Sequence, residues 1–122
     1  MVVDDLADNR EIYSECLQHL GLHVIEAVDG QDAIAKARTE LPNLIVMDLS
    51  MPNMDGWEAM RRLKEDPATR DIPIIVLTGY GMAGHAQATL AGCDAYLVKP
   101  CLPDDLAGVV MSVLGAHAID RN

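Results

Sequence analysis

The chain is predicted to fold as a single doubly wound α/β domain, a five-stranded parallel sheet with five helices on its two faces. Three observations predict it. The apolar runs Met1-Val2-Val3, Leu44-Ile45-Val46-Met47, Ile74-Ile75-Val76-Leu77 and Tyr96-Leu97-Val98 are continuous rather than alternating, as in strands buried on both faces. Stretches with apolar residues at helical spacing separate them. The 122 residues suffice for one hydrophobic core and not for two.

Each element has a local reason. Met1-Val2-Val3 makes a first strand shorter than the usual five or so residues. Either the natural chain extends further toward its amino terminus or this strand is weak. Asp8 or Asn9 can cap a helix running to about Leu20, with Ile12, Cys16, Leu17 and Leu20 inward and Gly21 as its stop. Residues 23–27 read as the second strand. Residues 31–41 read as a helix with Ala33, Ile34, Ala37 and Leu41 inward, stopped by Pro42. The strand ending at Asp48 leads into a loop over 49–56 in which Asp55-Gly56 shapes the turn, and a third helix follows over 57–65. Trp57, the sole tryptophan, is expected to pack there. A strand over 72–77, an Ala-rich helix over 82–91 ended by Gly92, a strand over 95–98 and a helix over 103–114 with Pro103 near its start complete the series. Right-handed crossovers then place helices on both faces.

Composition excludes several function classes. Half the residues are apolar, so the chain folds rather than staying disordered. No stretch approaches the roughly 20 apolar residues of a membrane span, and no secretory signal opens the chain. Cys16, Cys93 and Cys101 are odd in number and widely spaced, which suits neither a disulfide framework nor a zinc site and points to a reduced, cytoplasmic setting. A formal charge of −10 argues against direct nucleic-acid binding and favours cations or basic partner surfaces. The cluster Arg61-Arg62-Lys64 is flanked by Glu58, Glu65 and Asp66 and reads as a solvated helix face. His19, His23, His85 and His117 show no metal-ligand spacing.

The chemistry lies at the strand ends. The four runs lead into Asp4-Asp5, Asp48, Thr78 and Lys99, and ligands of open α/β sheets bind beyond the carboxyl ends of the strands. Taken singly, Asp4-Asp5 is an ordinary capping turn, Thr78 before Gly79 a strand-end cap and Lys99-Pro100 a surface turn. Together they converge on one site. Three gathered carboxylates repel one another, and a hard divalent cation is the expected remedy, with Mg²⁺ suited to sites that also take phosphoryl groups. An aspartate can attack a phosphoryl donor to form an acyl phosphate. The metal, Lys99 and the Thr78 hydroxyl would each meet one outer oxygen. No evident general base accompanies them, which favours a stored phosphoryl group over fast turnover.

These stretches resemble the receiver domain of two-component response regulators from Val2 to about Leu114. The resemblance rests on Val3-Asp4-Asp5, Met47 to Gly56, Val76-Leu77-Thr78-Gly79 and Gly92 to Pro100. It implies a flavodoxin-like sheet of strand order 2-1-3-4-5. It further implies that Asp48 accepts a phosphoryl group from a histidine kinase or histidine phosphotransfer protein. Asp5 would bind Mg²⁺ directly and Asp4 mainly through water, beside Asp48 itself and the main-chain carbonyl of Ser50. Lys99 would pair with Asp48 and then with the phosphoryl oxygen, Thr78 with Gly79 would form the switch, and Tyr96 would turn inward after it. The Lys99-Pro100 bond would be cis. The fourth helix, fifth strand and fifth helix would then present an altered surface to a downstream protein target. The expected state is a monomer or weak dimer and not a turnover enzyme.

Cys101 and Leu102 depart from the aromatic or branched residues common in the family after the proline, and Leu6 from a position often acidic or polar. Tyr80, two residues after Thr78, is expected to shield an acyl phosphate from water and so slow its loss. The competing readings are an aspartyl-nucleophile phosphohydrolase, a flavodoxin-type cofactor module and a receiver-like scaffold that is never phosphorylated. The first would open on an Asp-x-Asp motif after the first strand, whereas here the early acids are adjacent. The second would need a phosphate-cradling loop.

Overall fold

The computed structural model describes residues 1–48, 56–78, 93–98 and 102–120, with backbone only at some of them, Trp57 and Thr78 among these. In chain order these form β1 (Val2–Val3), α1 (Ala7–His19), β2 (Glu26–Ala27), α2 (Gly30–Glu40), β3 (Ile45–Asp48), α3 (Gly56–Glu65), β4 (Ile74–Thr78), β5 (Ala95–Val98) and α4 (Pro103–Asp120). The strands make one sheet in the order β2-β1-β3-β4-β5, every neighbouring pair parallel. That is the expected order. Four of the five expected helices lie among the described residues; the stretch 82–91 lies outside them.

Alternation along the buried strands divides the core into two layers. Val3, Ile45, Met47, Ile74 and Val76 face α2 and α3, packing with Ala33, Ala37, Ala59, Met60 and Leu63. Their sequence neighbours Val2, Val46, Ile75 and Leu77 face α1 and α4, packing with Tyr13, Leu17, Leu106 and Val110. The side-chain period of two therefore supplies both layers from one set of continuous apolar runs.

Several expectations are corrected. α1 begins after Leu6 with no side-chain cap from Asp8 or Asn9. Its buried face is Tyr13, Ser14 and Leu17, while Ile12 and Leu20 are exposed. The helix is rotated from the expected face because its neighbours are both the sheet and α4, where the Cys16 thiol donates to the Pro103 carbonyl at 3.2 Å. Leu41 is not an inward helix residue. It sits past the end of α2 in the left-handed region (φ 46°), exposed, with its N–H on the Ala37 carbonyl, where the following Pro42 opposes a further α turn. β2 shrinks to two residues because its partner β1 has only two. β4 starts at Ile74, since Pro73 has no N–H for the ladder, and α4 runs past residue 114. Gly21 does end α1, at φ 85°.

Candidate metal centre at the carboxyl edge

The register fixes the site. Val3 lies opposite Met47 and Asp48 opposite Leu77, so the residues leaving β1 and β3 meet at one edge. Asp48 is the last residue of β3 and only 3% exposed. Asp4, immediately after β1, is 1% exposed. Its N–H still reaches the Ala27 carbonyl (3.2 Å), while its carboxylate accepts the Leu6 N–H (2.9 Å) and the Asn9 amide (3.4 Å). Asp5 is exposed at the mouth.

One carboxylate oxygen from each of Asp4, Asp5 and Asp48 lies within 4.8 Å of the others. Among the described residues no other three His, Cys, Asp or Glu side chains meet this way. Two of the three acids are buried, so water screens their repulsion poorly. A divalent cation would offset it. Around a small octahedral ion with bonds of about 2.1 Å, ligand oxygens stand roughly 3–4 Å apart. From separations of at most 4.8 Å, the cluster has to close by no more than roughly 1–2 Å. An all-carboxylate set selects hard ions over thiolate-seeking ones.

Thr78 ends β4 opposite Val98, and Tyr96 lies opposite Val76 and is 43% exposed. Ser50, Gly79, Tyr80, Lys99, Pro100 and Cys101 lie outside the described residues, as do the side chains of Trp57, Thr78 and His117 and the whole of His85. Leu102 and Leu6 are exposed. Burial raises the thiol pKa values of Cys16 and Cys93, with Asp104 and Asp94 adding to it in turn, so neither is primed as a thiolate nucleophile.

One residue of the site escaped the sequence reading. Arg10, one turn into α1, donates from Nη1 to the Asp4 carbonyl (2.8 Å) and from Nε to Glu26 (3.2 Å). The only available signal was a lone arginine five residues after the acid pair, too weak to single out.

The fold and the cluster define a doubly wound domain with an acidic site at its carboxyl edge. The chain matches the response regulator receiver domain over residues 1–111, and it belongs to that family. It is 35% identical to Protein PilG of Pseudomonas aeruginosa over 111 residues, covering 90% of this chain and 82% of that one. It is 37% identical to the probable transcriptional regulator ycf27 of Porphyridium aerugineum over 115 residues, 93% of this chain and 47% of that protein. The chain thus spans about half the length of the ycf27 relatives it matches. Among solved structures, the REC domain of AraT from Geobacillus stearothermophilus superposes with TM-score 0.86 at 33% identity, covering 99% of this chain and 95% of that one. Chemotaxis protein CheY4 of Vibrio cholerae gives 0.83 at 30% identity over 92% and 94%. No described helix is long and apolar enough to cross a membrane.

Proposed function

We propose that this receiver domain is a phosphorylation-controlled binding switch. Asp48 accepts a phosphoryl group from a histidine kinase or histidine phosphotransfer protein, and a downstream protein target reads the result. The observation that carries the reading is the approach of the Asp4, Asp5 and Asp48 carboxylates to within 4.8 Å, with Asp48 buried at a strand end.

A carboxylate oxygen of Asp48 attacks the phosphorus of the donor's phosphoimidazole. A P–O bond forms, the P–N bond breaks, and its electron pair returns to the ring nitrogen. Asp4, Asp5, Asp48 and the Ser50 carbonyl would hold Mg²⁺, which would supply positive charge against the transferring oxygens. Lys99 takes another oxygen, and Thr78 beside Gly79 takes a third. The burial of Asp48 supports storage, because water reaches the acyl phosphate slowly. Once Thr78 is engaged, Tyr96 moves inward from its exposed setting. The surface built from the segment 82–91, β5 and α4, shaped by a cis Lys99-Pro100 bond, then changes with it. The domain catalyses only its own phosphorylation and slow dephosphorylation.

The test is labelling of the purified chain by a radioactive small phosphoramidate with Mg²⁺. We expect close to one label per chain, prevented when chelator is present from the start and absent in Asp48→Asn. Many turnovers of the donor would identify a phosphohydrolase instead. Undiminished label in Asp48→Asn would discard the assignment, and no label in the wild type would leave a scaffold.

A further inference from the structure

The Asp5 carboxylate has no hydrogen-bond or ion-pair partner among the described residues, so its place in the cluster is set by its backbone. That backbone is tied on both sides of Asp5: the Leu6 N–H beyond it bonds the Asp4 carboxylate at 2.9 Å, and Arg10 holds the peptide before it. The Arg10 guanidinium donates to the Asp4 carbonyl at 2.8 Å, and this carbonyl belongs to the peptide bond joining Asp4 to Asp5. The peptide is planar, so fixing its oxygen fixes the direction in which the chain leaves for Asp5. Arg10 is itself pinned. Its Nε reaches Glu26 on β2 at 3.2 Å, and its side chain is only 16% exposed. A planar fork already anchored by one prong loses little further freedom on holding a second group.

We infer that Arg10 is a positioning residue of the acid cluster: from α1, braced on Glu26, it locks the Asp4–Asp5 peptide so that Asp5 meets a bound divalent cation from a preset direction. The inference rests on the cluster being a metal site. It makes a prediction opposite in sign to simple electrostatics. Arg10 is a cation near three carboxylates, and removing a cation near a metal site should by Coulomb's law tighten binding of a second cation. Loss of positioning should weaken it. Outer partners that orient metal ligands are typically worth 10- to 100-fold in affinity.

The experiment is calorimetric titration of Mg²⁺ into the folded chain at low temperature, with the amide spectrum of each variant recorded without metal. Arg10→Ala is expected to bind about tenfold more weakly. Arg10→Lys, which keeps the charge and loses the fork, should fall between Arg10→Ala and the wild type. Asp5→Asn serves as the reference. If it binds Mg²⁺ like the wild type, the metal-site reading itself fails. If Asp5→Asn loses binding while Arg10→Ala and Arg10→Lys bind as tightly as the wild type or more tightly, the positioning role is overturned. Should Arg10→Ala not fold, Arg10→Lys decides alone: at least threefold weakening supports the role, and unchanged affinity refutes it.

Discussion

Ile74 and Asp94 exchange two hydrogen bonds: the Ile74 N–H donates to Asp94 Oδ2 at 2.8 Å, and the Asp94 N–H donates to the Ile74 carbonyl at 2.8 Å. This doubly bonded start joins β4 to β5, and Lys64 on α3 closes on it, 3.5 Å from the Asp94 carboxylate and 3.0 Å from the Ile72 carbonyl. Ile74 is fully buried, so its N–H has no access to water if the carboxylate is removed. Asp94→Ala is expected to cost about 1–3 kcal/mol, read as a lower urea midpoint with unchanged slope. Asp94→Asn keeps an acceptor oxygen and should cost less. Equal losses in the two variants would show that the charge facing Lys64, and not the backbone bond, matters.

Gly108 lies within α4 on its exposed side, and a β-carbon there would meet nothing within 4 Å. Ala at such a position removes the entropy that glycine loses on entering a helix, roughly 0.5–1 kcal/mol. Gly108→Ala should therefore raise the melting temperature by a few degrees. A fall would mean that the helix needs the bare backbone.

The Met1 ammonium, in a chain beginning at this residue, is buried and donates to the Leu44 carbonyl at 2.7 Å. Desolvation lowers its pKa from 8.0 to about 6. Between those values the unfolded chain holds a proton that the folded chain has released, so stability rises with pH across the window. At about 1.36 kcal/mol per unit the effect approaches 2–3 kcal/mol. Urea unfolding at pH 6, 7 and 8 checks it. Acetylation of the amine should flatten that slope, and an unflattened slope would place the effect elsewhere.

Metal should stabilise the fold by mass action, since the three carboxylates gather only in the folded state. Adding Mg²⁺ at 100 times its dissociation constant is expected to add about 2.7 kcal/mol. Asp5→Asn should lose most of this gain. Without metal the same variant should be slightly more stable than the wild type at low salt, because one of three mutually repelling charges is gone, and salt should erase that difference. A metal-free variant less stable than the wild type would argue that Asp5 has a structural partner.

Much of this molecule could be read from its residues in order. Continuous apolar runs specified strands buried on both faces, and their polar ends marked one edge of the sheet, so the architecture and the acids Asp4, Asp5 and Asp48 were legible. Helix orientation was not. Periodicity states that α1 has an apolar face, and Leu17 is buried as expected, but Tyr13 and Ser14 went inside in place of Ile12 and Leu20 because the helix packs on two neighbours at once. Arg10 and Asp94 were invisible for a related reason. Each acts on a main-chain group brought to it by the fold, and main-chain groups carry no residue identity. Residue types and their spacing determine which chemistry is gathered; the distances that bring three carboxylates within 4.8 Å of one another come only from strand pairing and helix packing, which join positions far apart along the chain.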